Sequence, residues 1–149
     1  MHSIQKQILV KSNPDKVFSV LKDIERYSSF AKDIKRVEVE FGKTAKRVSR
    51  WSIDIEGADV EWLQEDIVDE KTRKYSFELV KGDYEKYSGE WGVRKDGNGS
   101  RLDLHMILDW GIPSFEKVIG PVLEKKTDRV IRGLLYAIKR ECERKGKAG

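Results

Sequence analysis

Cysteine is almost absent from this chain of 149 residues. Cys142 stands alone, so no internal disulfide can form. The two histidines, His2 and His105, are far from it in sequence, and without a ligand cluster at metal spacing no zinc or iron site is expected. No apolar run nears the ~20 residues of a membrane span, and the N-terminus lacks a signal-peptide apolar region, so a cytoplasmic location is the expectation. No glycine loop joins a strand to a helix, which excludes a phosphate cradle, and no serine occupies a nucleophile elbow. Charge of one sign is missing too: 30 basic against 26 acidic residues leave a net charge of only +4. Neither a catalytic constellation nor a resident cofactor is expected.

What the chain does have is a division between its middle and its last third. From Ser114 to Lys145 apolar residues recur at helical spacing through Phe115, Val118, Ile119, Val122, Val130, Ile131, Leu134, Ile138 and Cys142. Gly120-Pro121 is expected to break or kink this helix, and Lys126-Thr127 interrupts its stripe. Near the N-terminus, Ser3–Lys11 reads as a strand. Asn13-Pro14-Asp15 is a helix start, with a capping side chain, a proline at the first position and an acid at the positive dipole end. Val17, Phe18, Val20, Leu21 and Ile24 give that helix its apolar face, and a second short helix or turn follows over Tyr27–Asp33.

Six strands are then read from period-2 alternation over 34–41, 45–55, 58–68, 73–80, 84–93 and 101–110. Turn residues separate them without intervening helices, as in an antiparallel meander. Asp96-Gly97-Asn98-Gly99 is the clearest hairpin signal. The order is therefore β-α-α-β6-α in a single domain over 1–149: an α+β fold with a curved antiparallel sheet around a long C-terminal helix.

Such a grip is expected to leave a gap between its layers. Trp51, Trp62, Tyr75, Phe77, Tyr87, Trp91 and Trp110 concentrate on strand faces that should look toward the helix, and large rings commonly line apolar pockets. The expected sheet wall is Trp51, Ile53, Trp62, Phe77, Trp91, Leu104 and Met106. The expected helix wall is Val130, Leu134 and Ile138, with Thr127 as a polar group. Among titratable residues, Asp54, Asp66, Glu78 and Asp109 could act as general acid or base only if they point inward. Asp54 and Glu78 have outward parity, and His105 alternates with the apolar face of its strand, which places it in solvent.

Two segments resemble a known superfamily. Pro14, Val17, Phe18, Leu21, Asp23-Ile24-Glu25, Tyr27 and Phe30 are similar to the opening of START-like (SRPBCC) polyketide cyclase and lipid-transport proteins. Leu79-Val80, Gly82, Tyr84, Gly89 and Trp91 resemble a stretch of the coenzyme-Q-binding branch, which includes the bacterial ribosome-association toxin. The resemblance implies a helix-grip fold with a hydrophobic pocket for a quinone, sterol, lipid or polyketide. It leaves three classes of function open: a non-enzymatic binding or transport protein for a hydrophobic small molecule, a polyketide cyclase/aromatase-type enzyme, and a module touching a ribosome, RNA or membrane surface through the basic end at Arg140, Arg144, Lys145 and Lys147.

Overall fold

The computed structural model describes residues 2–42, 45–110 and 120–144. Its elements are β1 (His2–Val10), α1 (Pro14–Lys22), a 3-10 turn (Ile24–Arg26), α2 (Tyr27–Phe30), β2 (Ile34–Gly42), β3 (Lys46–Ile55), β4 (Ala58–Asp69), β5 (Lys74–Gly82), β6 (Tyr84–Asp96), β7 (Gly99–Trp110) and α3 (Gly120–Glu143). This is the expected α+β order, and strand ends differ from the sequence reading by a few residues, as frayed ends do.

Helix α1 begins as its sequence dictates. The Asn13 side chain accepts a hydrogen bond from the Lys16 backbone N–H at 2.9 Å, and Pro14 opens the first turn. Val17, Phe18 and Leu21 are buried, so one face of α1 joins the core.

The strands form one seven-stranded antiparallel sheet in the order β1-β7-β6-β5-β4-β3-β2. Consecutive strands from β2 to β7 are neighbours, and β1 closes on β7. Two hairpin loops have the two-residue form. Glu56-Gly57 joins β3 to β4 with φ of 48° and 91°, the pair of positive values that matches the sheet's twist. Gly97-Asn98 joins β6 to β7 between the paired Asp96 and Gly99.

Helix α3 lies against the concave face. Thr127, Val130, Ile131, Leu134, Leu135, Ala137, Ile138 and Cys142 are buried, and burial pushes the Cys142 thiol up to about 12. Polar ties hold the helix from several sides. Lys6 of β1 pairs with Asp128 at 3.1 Å, Lys139 Nζ donates to the Leu9 carbonyl at 2.8 Å, and Arg26 pairs with the buried Glu141 at 3.1 Å. Pro121 stands second in α3, where a helix leaves its N–H unpaired in any case. The part of the stripe expected over 114–119, on the far side of a break at Gly120-Pro121, lies outside the described residues, as does Lys145.

Candidate functional site in the gap between sheet and helix

Strand parity delivers a row of side chains to the concave face. On β3 these are Ser49, Trp51, Ile53 and Ile55; on β4 they are Val60, Trp62, Gln64, Asp66 and Val68. Tyr75 and Phe77 come from β5, Tyr87 and Trp91 from β6, and Leu104 and Met106 from β7. Gly89 sits between Tyr87 and Trp91 for a steric reason. A Cβ there would come within 2.8 Å of Phe77 Cζ and 2.5 Å of Met106 Cβ, so the missing side chain is the space that the Phe77 ring uses.

Between these strands and α3 lies an internal cavity. Trp51, Ile53, Trp62, Phe77, Trp91, Leu104 and Met106 line it from the sheet, and Val130 and Leu134 from the helix. Thr127 and Ile138 are buried but stand outside the lining. Thr127 meets the Tyr84 hydroxyl at 3.4 Å instead. Ile34, Gln64, Tyr75, Tyr87, Ile131 and Tyr27 of α2 complete the wall.

The cavity is small. About 20 Å³ is open to a water-sized sphere, room for roughly one water molecule by the ~10–15 Å³ rule. The aromatic rings are the reason, because they pack on one another. Trp51 and Trp62 stack with centroids 5.7 Å apart and planes 9° from parallel. Tyr87 lies 4.7 Å from Trp62 and 5.4 Å from Phe77. Larger hollows lie at the surface. One of about 280 Å³ sits between the β3–β4 turn and α3, lined by Asp33, Asp54, Glu56, Lys126 and Arg129 among others. Another of about 200 Å³ runs beside Ala31, Ile34, Gly133, Tyr136 and Arg140. Val130 lines both of them and the internal cavity. Glu56 ties the turn to the helix by pairing with Lys126 and, at 3.3 Å, with Arg129.

Behind the aromatic wall is a buried polar cluster. Asp66 is 0% exposed and accepts from Ser49 Oγ at 2.6 Å, Gln64 Nε2 at 2.6 Å and the Tyr75 hydroxyl at 2.8 Å. The Arg47 guanidinium stands 3.7 Å away. Burial raises the Asp66 carboxyl above its ordinary value, with these three hydrogen bonds and Arg47 pulling the other way. The same burial pushes the Tyr75 and Tyr87 phenols well up, so both stay neutral. Tyr27, also held neutral by burial, donates to the Leu21 carbonyl.

Of the four acids considered for proton transfer, Asp66 is the one that is fully buried. Asp54 caps the hairpin by accepting from the Gly57 N–H at 2.9 Å, Glu78 is exposed and Asp109 is half-buried. His105 faces solvent as its parity predicts. Sequence reasoning left Gln64 and Tyr27 out of the wall and did not place Asp66 inward. The signal was available on β4, where Trp62, Gln64 and Asp66 share one parity. For Tyr27 it was not, because α2 reaches the gap through tertiary packing alone.

Among the described residues no group of three His, Cys, Asp or Glu side chains could hold a metal ion, and no helix is long and apolar enough to cross a membrane. At the basic end, Arg144 pairs with Glu141 at 2.9 Å, while Lys147 lies outside the described residues.

Residues 10–135 match the family model described as polyketide cyclase / dehydrase and lipid transport. No curated protein sequence matches the chain. Solved structures share the fold at low identity. TTHA0849 from Thermus thermophilus is 24% identical with a TM-score of 0.89, covering 95% of this chain and 97% of its own. The Zhui aromatase/cyclase from a Streptomyces species is 19% identical with a TM-score of 0.85, covering 99% and 96%. A START superfamily protein from Mycobacterium smegmatis is 18% identical with a TM-score of 0.80, covering 96% and 98%.

Proposed function

The chain belongs to the polyketide cyclase / dehydrase and lipid transport family, and on that premise we propose that it binds or carries a hydrophobic small molecule between the sheet and α3. An isoprenoid quinone, a lipid or a polyketide-like molecule fits the class. The observation that carries this reading is the aromatic lining of the gap, in which stacked Trp51 and Trp62 offer flat apolar area to a ligand. Binding would come from apolar surface removed from water, at about 25 cal/mol per Å².

A cavity of about 20 Å³ is far below the ~300 Å³ of an ordinary small-molecule pocket. The ligand must therefore separate α3 from the sheet or turn rings aside. Val130, where the cavity meets two surface hollows, is the natural point of opening. Mass spectrometry of solvent extracts from protein purified out of its native host should show a stoichiometric lipid, quinone or polyketide-like compound. Protein that is always empty, and that takes up no neutral fluorescent probe such as N-phenyl-1-naphthylamine, would sink the reading.

Aromatase/cyclase-type chemistry is the second reading, and the convergence of Asp66, just behind the lining, with Tyr75 and Gln64 of the lining itself supports it. A carboxyl raised by burial and a neutral phenol are groups able to exchange protons with an enolising polyketone. Incubation with a poly-β-ketone thioester would give a cyclised, dehydrated product on this reading. Product formation no faster than in buffer would exclude it.

A further inference from the structure

The two stacked indoles of the aromatic wall, Trp51 and Trp62, do not end in apolar packing. Trp51 Nε1 donates to Ser49 Oγ at 2.9 Å, and Ser49 Oγ donates to Asp66 Oδ2 at 2.6 Å. Trp62 Nε1 donates to Gln64 Oε1 at 2.7 Å, and Gln64 Nε2 donates to Asp66 Oδ1 at 2.6 Å. Two chains of the same length thus run from two stacked rings to the two oxygens of one carboxylate. Ser49 and Gln64 are each two residues from the tryptophan they hold, on the same strand face.

We propose that Asp66 is the positioning residue of the gap, a single buried carboxylate that holds both stacked indoles in place and so sets the wall against which a ligand lies. The chemistry favours a carboxylate over any isostere. Gln64 and Tyr75 donate to Oδ1 and Ser49 donates to Oδ2, and an ionised carboxylate accepts from all three at once. An apolar side chain in place of Asp66 alone would leave the Ser49, Gln64 and Tyr75 donors and Arg47 without their acceptor, a costly change. What the charge supplies is orientation: with acceptors fixed at both ends, neither the Ser49 hydroxyl nor the Gln64 amide can turn away from its indole. As a statement about recognition, this rests on the gap being a binding site.

Protonation of Asp66 would make one of its oxygens a donor and reverse the Ser49 hydroxyl, so the wall is coupled to the charge. The groups facing this carboxylate are Arg47 of β3, Tyr75 of β5, Tyr87 of β6 and Tyr27 of α2. Asp23, past the end of α1, and Cys142 of α3 act on Tyr27. The phenols and the buried thiol stay neutral in acid, which leaves Asp66 as the titrating member of the cluster itself.

The four tryptophan indole N–H resonances of ¹⁵N-labelled protein give the test. In Asp66→Asn the Trp51 and Trp62 resonances should move and exchange faster with solvent, while those of Trp91 and Trp110 stay. Ser49→Ala should move Trp51 and Gln64→Met should move Trp62, and these two variants carry the test if the Asp66 variant does not fold. Acidification of the wild-type protein should move both resonances with one common midpoint, a movement absent in Asp66→Asn. Affinity for N-phenyl-1-naphthylamine should fall several-fold in each folded variant. Unmoved indole resonances, separate midpoints, or an unchanged probe affinity would each overturn the inference. Wild-type protein that takes up no probe would count instead against the gap as a binding site, and the indole readings alone would then decide whether Asp66 braces the wall.

Discussion

Trp51 and Trp62 are direct partners in the β3–β4 register, and their rings stack 5.7 Å apart at 9°. Neighbouring strands lie about 4.8 Å apart, so a directly opposed, same-face pair of indoles can meet face to face with little distortion. The pair forms the centre of the sheet-side wall, and its geometry motivates the first prediction.

Trp62→Ala should destabilise the fold by about 3–5 kcal/mol, the usual range for truncating a buried aromatic, and should also orphan the Gln64 carbonyl oxygen. Trp62→Phe should cost clearly less, because it keeps most of the ring while losing the N–H. Urea unfolding followed by circular dichroism checks both. Equal costs for the two variants would mean that ring packing contributes little here.

Asp66 gives stability a distinctive pH dependence. Its carboxyl is raised in the folded state because burial disfavours the charge, whereas in the unfolded chain it titrates near the ordinary ~3.9. Between those values the folded state binds the extra proton, so this contribution is fully present below the unfolded value and is lost as pH rises through the folded one. Wild type should therefore gain stability relative to Asp66→Asn as pH falls from neutral toward 4. Unfolding free energies of both proteins across that window read the sign directly. A difference that stays flat, or that grows with pH, contradicts the burial argument.

Val130 is where the internal cavity adjoins two surface hollows. Val130→Ala should cost about 2 kcal/mol as a buried large-to-small change and should speed the association of a hydrophobic probe. Val130→Trp should slow association instead. Stopped-flow quenching of tryptophan fluorescence distinguishes these. Identical association rates in both variants would place the opening elsewhere.

Gly89→Ala should destabilise by about 1–3 kcal/mol through overpacking, since the new Cβ would lie 2.5 Å from Met106 Cβ and 2.6 Å from the His105 carbonyl oxygen. Gly97→Ala, with nothing within 4 Å of its Cβ and φ of 57°, isolates the backbone cost of a turn glycine. Thermal unfolding of the two variants compares steric crowding with conformational strain. A Gly89 variant as stable as wild type would show that Phe77 and Met106 repack freely.

Much of this protein was determined by the sequence alone, because local rules apply where neighbours along the chain are neighbours in space. Asn13-Pro14-Asp15 starts α1 whatever lies above it. Alternation along β3, β5, β6 and β7 sends Trp51, Phe77, Trp91, Leu104 and Met106 to one face, since side chains on a strand change sides at every residue. His105 is outward for the same reason. The tertiary structure alone decided how much room the face encloses: curvature of the sheet and the fit of α3 bring Trp51, Trp62, Tyr87 and Phe77 close enough to fill most of it. It also decided the meaning of Asp66. Parity could place that side chain inward, but only the meeting of Ser49, Gln64 and Tyr75 from three strands makes an inward carboxylate tolerable there, because a buried charge survives when several donors converge on it.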